Sequence, residues 1–188
     1  LFEGTLDKGR INGFGRLYTY DGAKRYEGGF LMEVFDGYGE LYFANGAVEY
    51  RGNFSMNRRD GEGIQFYADG RTCYEGSFAA GLYDGKGVLY EENGNKRYEG
   101  EFSKGSYEGA GILYDSQGQK QYEGSFAGGV FEGEGRLYAA GVLAYEGNFH
   151  GGKADGQGKL YQDGELIEQG EYGNNLFFAG QSTLYYED

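Results

Sequence analysis

Three patterns in this 188-residue chain hold groups that could do chemistry. The first is Gly-x-Gly, at Gly13/Gly15, Gly37/Gly39, Gly61/Gly63, Gly85/Gly87, Gly109/Gly111, Gly133/Gly135 and Gly156/Gly158. Glycines so spaced cradle phosphate when a strand precedes them and a helix follows. No helical stretch follows any copy and the third glycine of a dinucleotide loop is missing, so phosphate binding is not expected. The second pattern is a column of carboxylates: Glu3, Glu27, Glu75, Glu99, Glu123 and Glu146. The third is a set of oxygen-bearing dipeptides, Asp21-Gly22, Asn45-Gly46, Asp69-Gly70, Asn93-Gly94 and Asp163-Gly164. Calcium β-rolls use a period of about nine residues and helix–loop–helix sites a loop of about twelve with alternating ligands. The pattern here matches neither, and no metal site is expected. His150 is the sole histidine and reads as a surface residue. Cys73 is the sole cysteine; it takes the place held by Arg25, Glu49, Arg97 or Gln121 elsewhere and also reads as a substituted surface position. No nucleophile stands beside a base, so neither catalysis nor a cofactor is expected.

The elements that must position these groups announce themselves by composition. Glycine supplies 39 residues and proline none, yet 20 Tyr and 14 Phe are too many rings to leave in water. The formal charge of -13 repels phosphate backbones and anionic headgroups. Nucleic acid is therefore excluded as a partner, and direct binding to an anionic membrane is not expected. A single cysteine leaves the redox compartment open, no long apolar run or signal-peptide pattern is present, and localisation is left unknown. The chain opens almost inside a motif, "LFEG", and reads as a piece of something longer.

The motifs repeat. Aromatic-Glu-Gly occurs at Phe2, Tyr26, Tyr74, Tyr98, Tyr122 and Tyr145, with weaker copies at Tyr50-Arg51-Gly52 and Glu168-Gln169-Gly170. The first glycines of Gly-x-Gly advance by 24 except from Gly133 to Gly156, a step of 23 that follows a shortened turn, "YAAG". Eight units follow, approximately 2–25, 26–49, 50–73, 74–97, 98–121, 122–144, 145–167 and a degenerate, cap-like 168–188, in which Gly180 survives and Ser182 replaces its partner. Within a unit, "YEGEF" alternates with period two, "SKGSYE" turns, "GAGILY" forms a second strand and "DSQG" turns back. Eight hairpins make about sixteen short antiparallel strands and an all-β array with open edges. By alternation Tyr98, Gly100 and Phe102 share one face, and Gly109, Gly111 and Leu113 another. If register joins these faces, the glycines Gly37, Gly39, Gly61, Gly63, Gly85, Gly87, Gly109, Gly111, Gly133, Gly135, Gly156 and Gly158 leave room for the rings. A strand glycine costs roughly 0.5–1 kcal/mol against alanine. Burying a ring returns about 1.5–3 kcal/mol, so the pairing wins.

"YEGEFSKGSYEGAGILY" and its relatives resemble MORN repeats, units of roughly Tyr-Glu-Gly-x-Trp/Phe, a glycine-containing turn, Gly-x-Gly and an aromatic. The resemblance runs from Phe2 to about Tyr185. It departs in its period of 24, in Phe at the place where many relatives carry Trp (Phe30, Phe54, Phe78, Phe102, Phe126, Phe149), in Arg51, and in Gln65 where other units have Leu. The resemblance implies an elongated, twisted single antiparallel sheet with a ring-lined groove and no enzymatic activity. It also implies an accessory module that binds protein partners, dimerises or helps to place an attached domain at a membrane. Sixteen strands about 4.8 Å apart would extend on the order of 75 Å.

Two ring columns frame the functional expectation. Tyr26, Tyr50, Tyr74, Tyr98, Tyr122 and Tyr145, with Phe30, Phe54, Phe78, Phe102, Phe126 and Phe149, form the core and, in a one-layer sheet, also the floor of a groove for a partner segment. Tyr18, Tyr42, Phe66, Tyr90, Tyr114, Tyr138, Tyr161 and Tyr185 point the other way. Apolar columns on two faces imply that at least one meets a partner, and an amphipathic helix is the favoured occupant. The Glu column, on the second face, is a solvated surface partly neutralised by Arg25, Arg51 and Arg97, or an acidic track for a basic segment. The leading reading is a protein-interaction scaffold; end-to-end or homodimeric association is a further expectation of the open edges. Glycan binding through stacked rings and lipid targeting are the alternatives.

Overall fold

The computed structural model describes residues 1–179 and 183–186, with side chains as far as Gly173. It consists of two compact units, Leu1–Gly94 and Asn95–Asp188. The first unit holds β1 (Phe2–Asp7), β2 (Arg10–Tyr18), β3 (Lys24–Leu31), β4 (Val34–Tyr42), β5 (Val48–Ser55), β6 (Arg58–Phe66), β7 (Thr72–Ala79) and β8 (Leu82–Tyr90). The second holds β9 (Lys96–Ser103), β10 (Ser106–Tyr114), β11 (Lys120–Ala127), β12 (Val130–Ala139), β13 (Val142–His150), β14 (Lys153–Gln162), β15 (Glu165–Ala179) and β16 (Thr183–Tyr186). Within each unit every strand pairs antiparallel with its neighbours in chain order, as an open sheet of consecutive hairpins rather than a closed barrel.

Two kinds of turn alternate. At the first turn of each of the first seven repeats two residues take left-handed backbone, as at Lys8-Gly9 (φ 48° and 83°) and Met56-Asn57 (φ 49° and 66°). This turn matches the twist of the flanking strands. The second turn of the first five repeats is a three-residue loop, in which Thr19 N–H donates to Ala23 O at 2.8 Å and Gly22 N–H to Thr19 O at 3.1 Å; in the seventh it is the two-residue Asp163-Gly164, closed by the pair Gln162↔Glu165. The shortened "YAAG" turn becomes a two-residue turn at Ala140-Gly141, closed by the pair Ala139↔Val142. One residue is lost from the loop and none from the ladder. The cap-like unit 168–188 lies largely outside the residues whose side chains are described, and the Gly180/Ser182 pattern lies outside the described residues altogether.

Register places a row of glycine across each sheet. In the first unit the row runs Gly4, Gly15, Gly28, Gly39, Gly52, Gly63, Gly76 and Gly87, each opposite the next. In the second it runs Gly100, Gly111, Gly124, Gly135, Gly147, Gly158 and Gly170. Beside this row the register shifts: Gly28 faces Gly39, but Phe30 faces Phe35. The bulge accounts for the first glycine of each Gly-x-Gly. Gly37 has φ 81° and a Cβ there would meet nothing within 4 Å; it is glycine because of its backbone, not because a ring needs the space. Gly109 likewise has φ 59°, and its Cβ would meet the Glu101 carboxylate rather than a ring. The expected collision of a Gly109 side chain with the rings is corrected accordingly. Only the second glycine of each pair seats a ring.

Candidate interaction face

One side of each sheet is built on the glycine row. The rings of Tyr26, Tyr50, Tyr74, Tyr98, Tyr122 and Tyr145 are completely buried. Each lies across its own Gly and the facing Gly: a Cβ at Gly111 would sit 2.3 Å from the Tyr98 hydroxyl, and one at Gly63 would sit 2.2 Å from that of Tyr50. The hydroxyl reaches the main chain three residues on, donating to Gly29 O from Tyr26 (3.0 Å), Asn53 O from Tyr50 (3.0 Å) and Glu101 O from Tyr98 (2.9 Å). The polar end of a buried ring is thereby satisfied. Burial also favours the neutral phenol: the pKa of Tyr26, Tyr50 and Tyr145 is pushed up to about 12, and those of Tyr74, Tyr98 and Tyr122 rise as well, desolvation being the main cause.

Phe30, Phe54, Phe78, Phe102, Phe126 and Phe149 are buried edge-on against the tyrosines. Phe54 meets Tyr50 at 5.0 Å and Tyr26 of the preceding repeat at 5.2 Å, so it links two repeats, as do Phe78, Phe126 and Phe149. T-shaped pairs of this kind add about 0.5–1.5 kcal/mol beyond area burial. The twelve rings expected to line a groove are thus the packed core, and what reaches the surface over them is another column. Phe35, Tyr83, Tyr107 and Phe131 lie half-buried and stacked on Tyr26, Tyr74, Tyr98 and Tyr122 at 3.8–3.9 Å. Sequence reasoning missed this column, although an aromatic nine residues after the Tyr recurs four times. In the third unit the place belongs to Arg59, whose guanidinium lies 5.1 Å over the Tyr50 ring. Leu41, Leu89 and Leu113 flank the stack, half-buried, in register with the tyrosines.

The opposite side carries the Glu column, and four of its six carboxylates are in ion pairs, while Glu75 stands in register between Ile64 and Val88. Glu27 meets Arg16 and Lys24 at 2.7 Å each. Glu99 meets Lys96 at 2.7 Å, Glu123 meets Lys120 at 3.0 Å, and Glu146 meets Lys159 at 2.9 Å and Arg136 at 3.4 Å. These bonds hold Glu27, Glu99, Glu123 and Glu146 below the ordinary carboxylate range. Arg51, expected to neutralise the column, pairs with Glu40 at 2.6 Å instead. Tyr18, Tyr114, Tyr138 and Tyr161 of the second column point to this side, as alternation requires, and their hydroxyls donate to the same carboxylates: Tyr18 to Glu3 at 3.0 Å, Tyr114 to Glu99 at 3.4 Å, Tyr138 to Glu123 at 3.2 Å and Tyr161 to Glu146 at 3.0 Å, while Tyr185 lies outside the residues whose side chains are described. In the second unit a groove of about 490 Å³ runs along this side, lined by Glu123, Glu134, Arg136, Glu146 and Lys159 over Gly135, Gly147 and Gly158. Its walls are an ion-pair ladder rather than an unscreened acidic track.

His150 is exposed, as expected, and its Nδ1 lies 3.0 Å from Glu132, which raises its pKa above 6.5. Cys73 is not at the surface. It is buried, its Sγ 3.9 Å from the Tyr83 hydroxyl. A register shift between Gln65 and Phe66 places Cys73 in a bulge, so strict alternation misassigns its side. Among the described residues no cluster of His, Cys, Asp and Glu could hold a metal ion, and no helix is long and apolar enough to cross a membrane.

Fold and face together define a repeat module of stacked hairpins with one ring-rich and one ion-paired side. The family model of the MORN repeat matches residues 2–24, 26–48, 50–70, 74–96, 98–120, 122–141 and 145–165, and the chain belongs to the MORN repeat family. A comparison with curated proteins found no match.

Proposed function

We propose that the chain is a non-catalytic protein-interaction module that receives a partner segment on its aromatic side. The observation that carries this reading is the asymmetry of the two faces. On one, stacked rings and leucines lie half-buried over a core that is already complete. On the other, most of the charged groups pair with one another. Half-exposed rings on a rigid platform give a partner large contact area at low cost in side-chain entropy. The Tyr and Phe columns of the core are the platform; Phe35, Tyr83, Tyr107 and Phe131 make the contacts. An amphipathic helix, apolar along one side, fits a shallow surface of this kind. Membership of a family of such repeats supports the class of function.

A photo-crosslinking residue at position 107, compared with one at Glu134 on the ion-paired side, tests the reading. Adducts with a bound protein are expected from position 107 alone. Adducts only from position 134 would move the interface to the opposite side.

A further inference from the structure

The aromatic side has one polar interruption, and it is built from several changed positions at once. In the third repeat Arg59 replaces a stacking ring and Gln65 replaces a leucine, and Glu49, the last residue of the second repeat, and Cys73 occupy the bulges beside the core tyrosines. Register sets Gln65 between Tyr50 and Tyr74. Arg59 donates through Nη1 to Gln65 Oε1 at 2.8 Å and through Nη2 to Glu49 Oε1 at 2.6 Å. The Tyr83 hydroxyl donates to the same Gln65 oxygen at 3.3 Å. Both lone pairs of that carbonyl are therefore engaged, which fixes the amide. Its Nε2 has no partner among the described residues, although Gln65 is half-buried. Arg59 has used two of its N–H groups in this network. The patch thus offers hydrogen-bond donors in the middle of an apolar surface.

We propose that this patch is a selectivity site: it takes a hydrogen-bond acceptor, a carboxylate or amide side chain, carried within the otherwise apolar face of the bound segment. The inference rests on the aromatic side being the docking face. A purely apolar segment laid here would cover the Gln65 donors without pairing them, and a buried unpaired donor is penalised more heavily than a formed bond is rewarded. Sites built around such donors reject analogues that lack the acceptor. Arg59 and Gln65 are not needed for packing: Phe35 or Tyr83 and Leu41 or Leu89 hold the same places in the neighbouring repeats, and replacing a polar cluster by packed apolar groups is often neutral or stabilising.

The test uses the full chain and its R59F/Q65L variant, which gives the third unit the residue types of its neighbours. Random peptides displayed on phage are selected on each protein and the melting temperatures compared. The variant is expected to melt at the same temperature or higher. Peptides chosen by the natural chain are expected to carry Asp, Glu, Asn or Gln at one fixed place in an apolar run, and to bind the variant about tenfold or more weakly. Equal affinity for both proteins would overturn the selectivity site while leaving the docking face in place. A variant that melts well below the natural chain would show the network to be structural, and overturn it too. Recovery of no peptide by either protein would remove the docking face, and the site with it.

Discussion

At the scale of single residues, the glycine–tyrosine contact decides the architecture. The Tyr98 ring occupies the volume that a Cβ at Gly111 would need, 2.3 Å from its hydroxyl and 2.5 Å from the ring carbon that bears it. Gly111→Ala is therefore expected to destabilise by about 1–3 kcal/mol in chemical denaturation, the usual cost of overpacking. Gly170→Ala, where a Cβ meets nothing within 4 Å and the backbone is not left-handed, is expected to be neutral or mildly stabilising. Equal effects would mean that the ring does not lie on the glycine row. Tyr98→Phe removes the bond to Glu101 O and is expected to cost about 0.5–1.5 kcal/mol. The Gly and Tyr columns were legible because only a glycine in register with a ring explains so many of both. Cys73 was not, because a bulge breaks the alternation on which faces are assigned.

At the scale of the hairpin, acids from the third, fifth and sixth repeats each clamp the hairpin that follows. The N–H of a tip residue reaches back to the preceding hairpin: Asn57 N–H donates to Phe35 O at 3.0 Å and Gly81 N–H to Arg59 O at 2.8 Å. The carboxylate just before Gly-x-Gly caps the neighbouring tip, with Asp60 accepting from Ala80 N–H, Glu108 from Gly128 N–H and Glu132 from Gly151 N–H, each at 3.0 Å. The left-handed tips are thus held by bonds between units as well as by turn chemistry. Glu132 also faces His150, whose raised pKa makes the pair favourable while the imidazole is charged. That contribution is complete below the ordinary 6.5 and fades as pH rises through the folded-state value. Glu132→Gln is expected to lower the His150 midpoint in an NMR titration; an unchanged midpoint would remove the ion pair. The hairpins themselves could be read from period-two alternation and Asp-Gly or Asn-Gly turns. The clamps could not, because they join residues about a full repeat apart and depend on a register that no single unit displays.

At the scale of the whole molecule, a sheet one layer thick has no second layer to cover its rings, so its core is made within the sheet. Tyrosine folds down onto bare main chain, phenylalanine wedges between units, and a further ring or arginine stacks on top. The two ring columns evident in the sequence became a buried platform and a set of hydroxyl donors to the Glu ladder. The half-buried column stacked over that platform was hidden from sequence reading because its period coincides with the core's and its position lies across the bulge. Alkaline titration tests the central claim, that six phenols are sealed over glycine and bonded to main-chain carbonyls, most directly. Their protonated form is bound more tightly folded than unfolded, so the stability they contribute is complete below the ordinary 10.0 and is lost as pH rises towards about 12. Tyrosinate absorbance and β-sheet circular dichroism recorded together should show at least six phenols still protonated well above pH 10, ionising only as the sheet melts. Complete ionisation of all 20 tyrosines near pH 10 with the sheet intact would contradict the account.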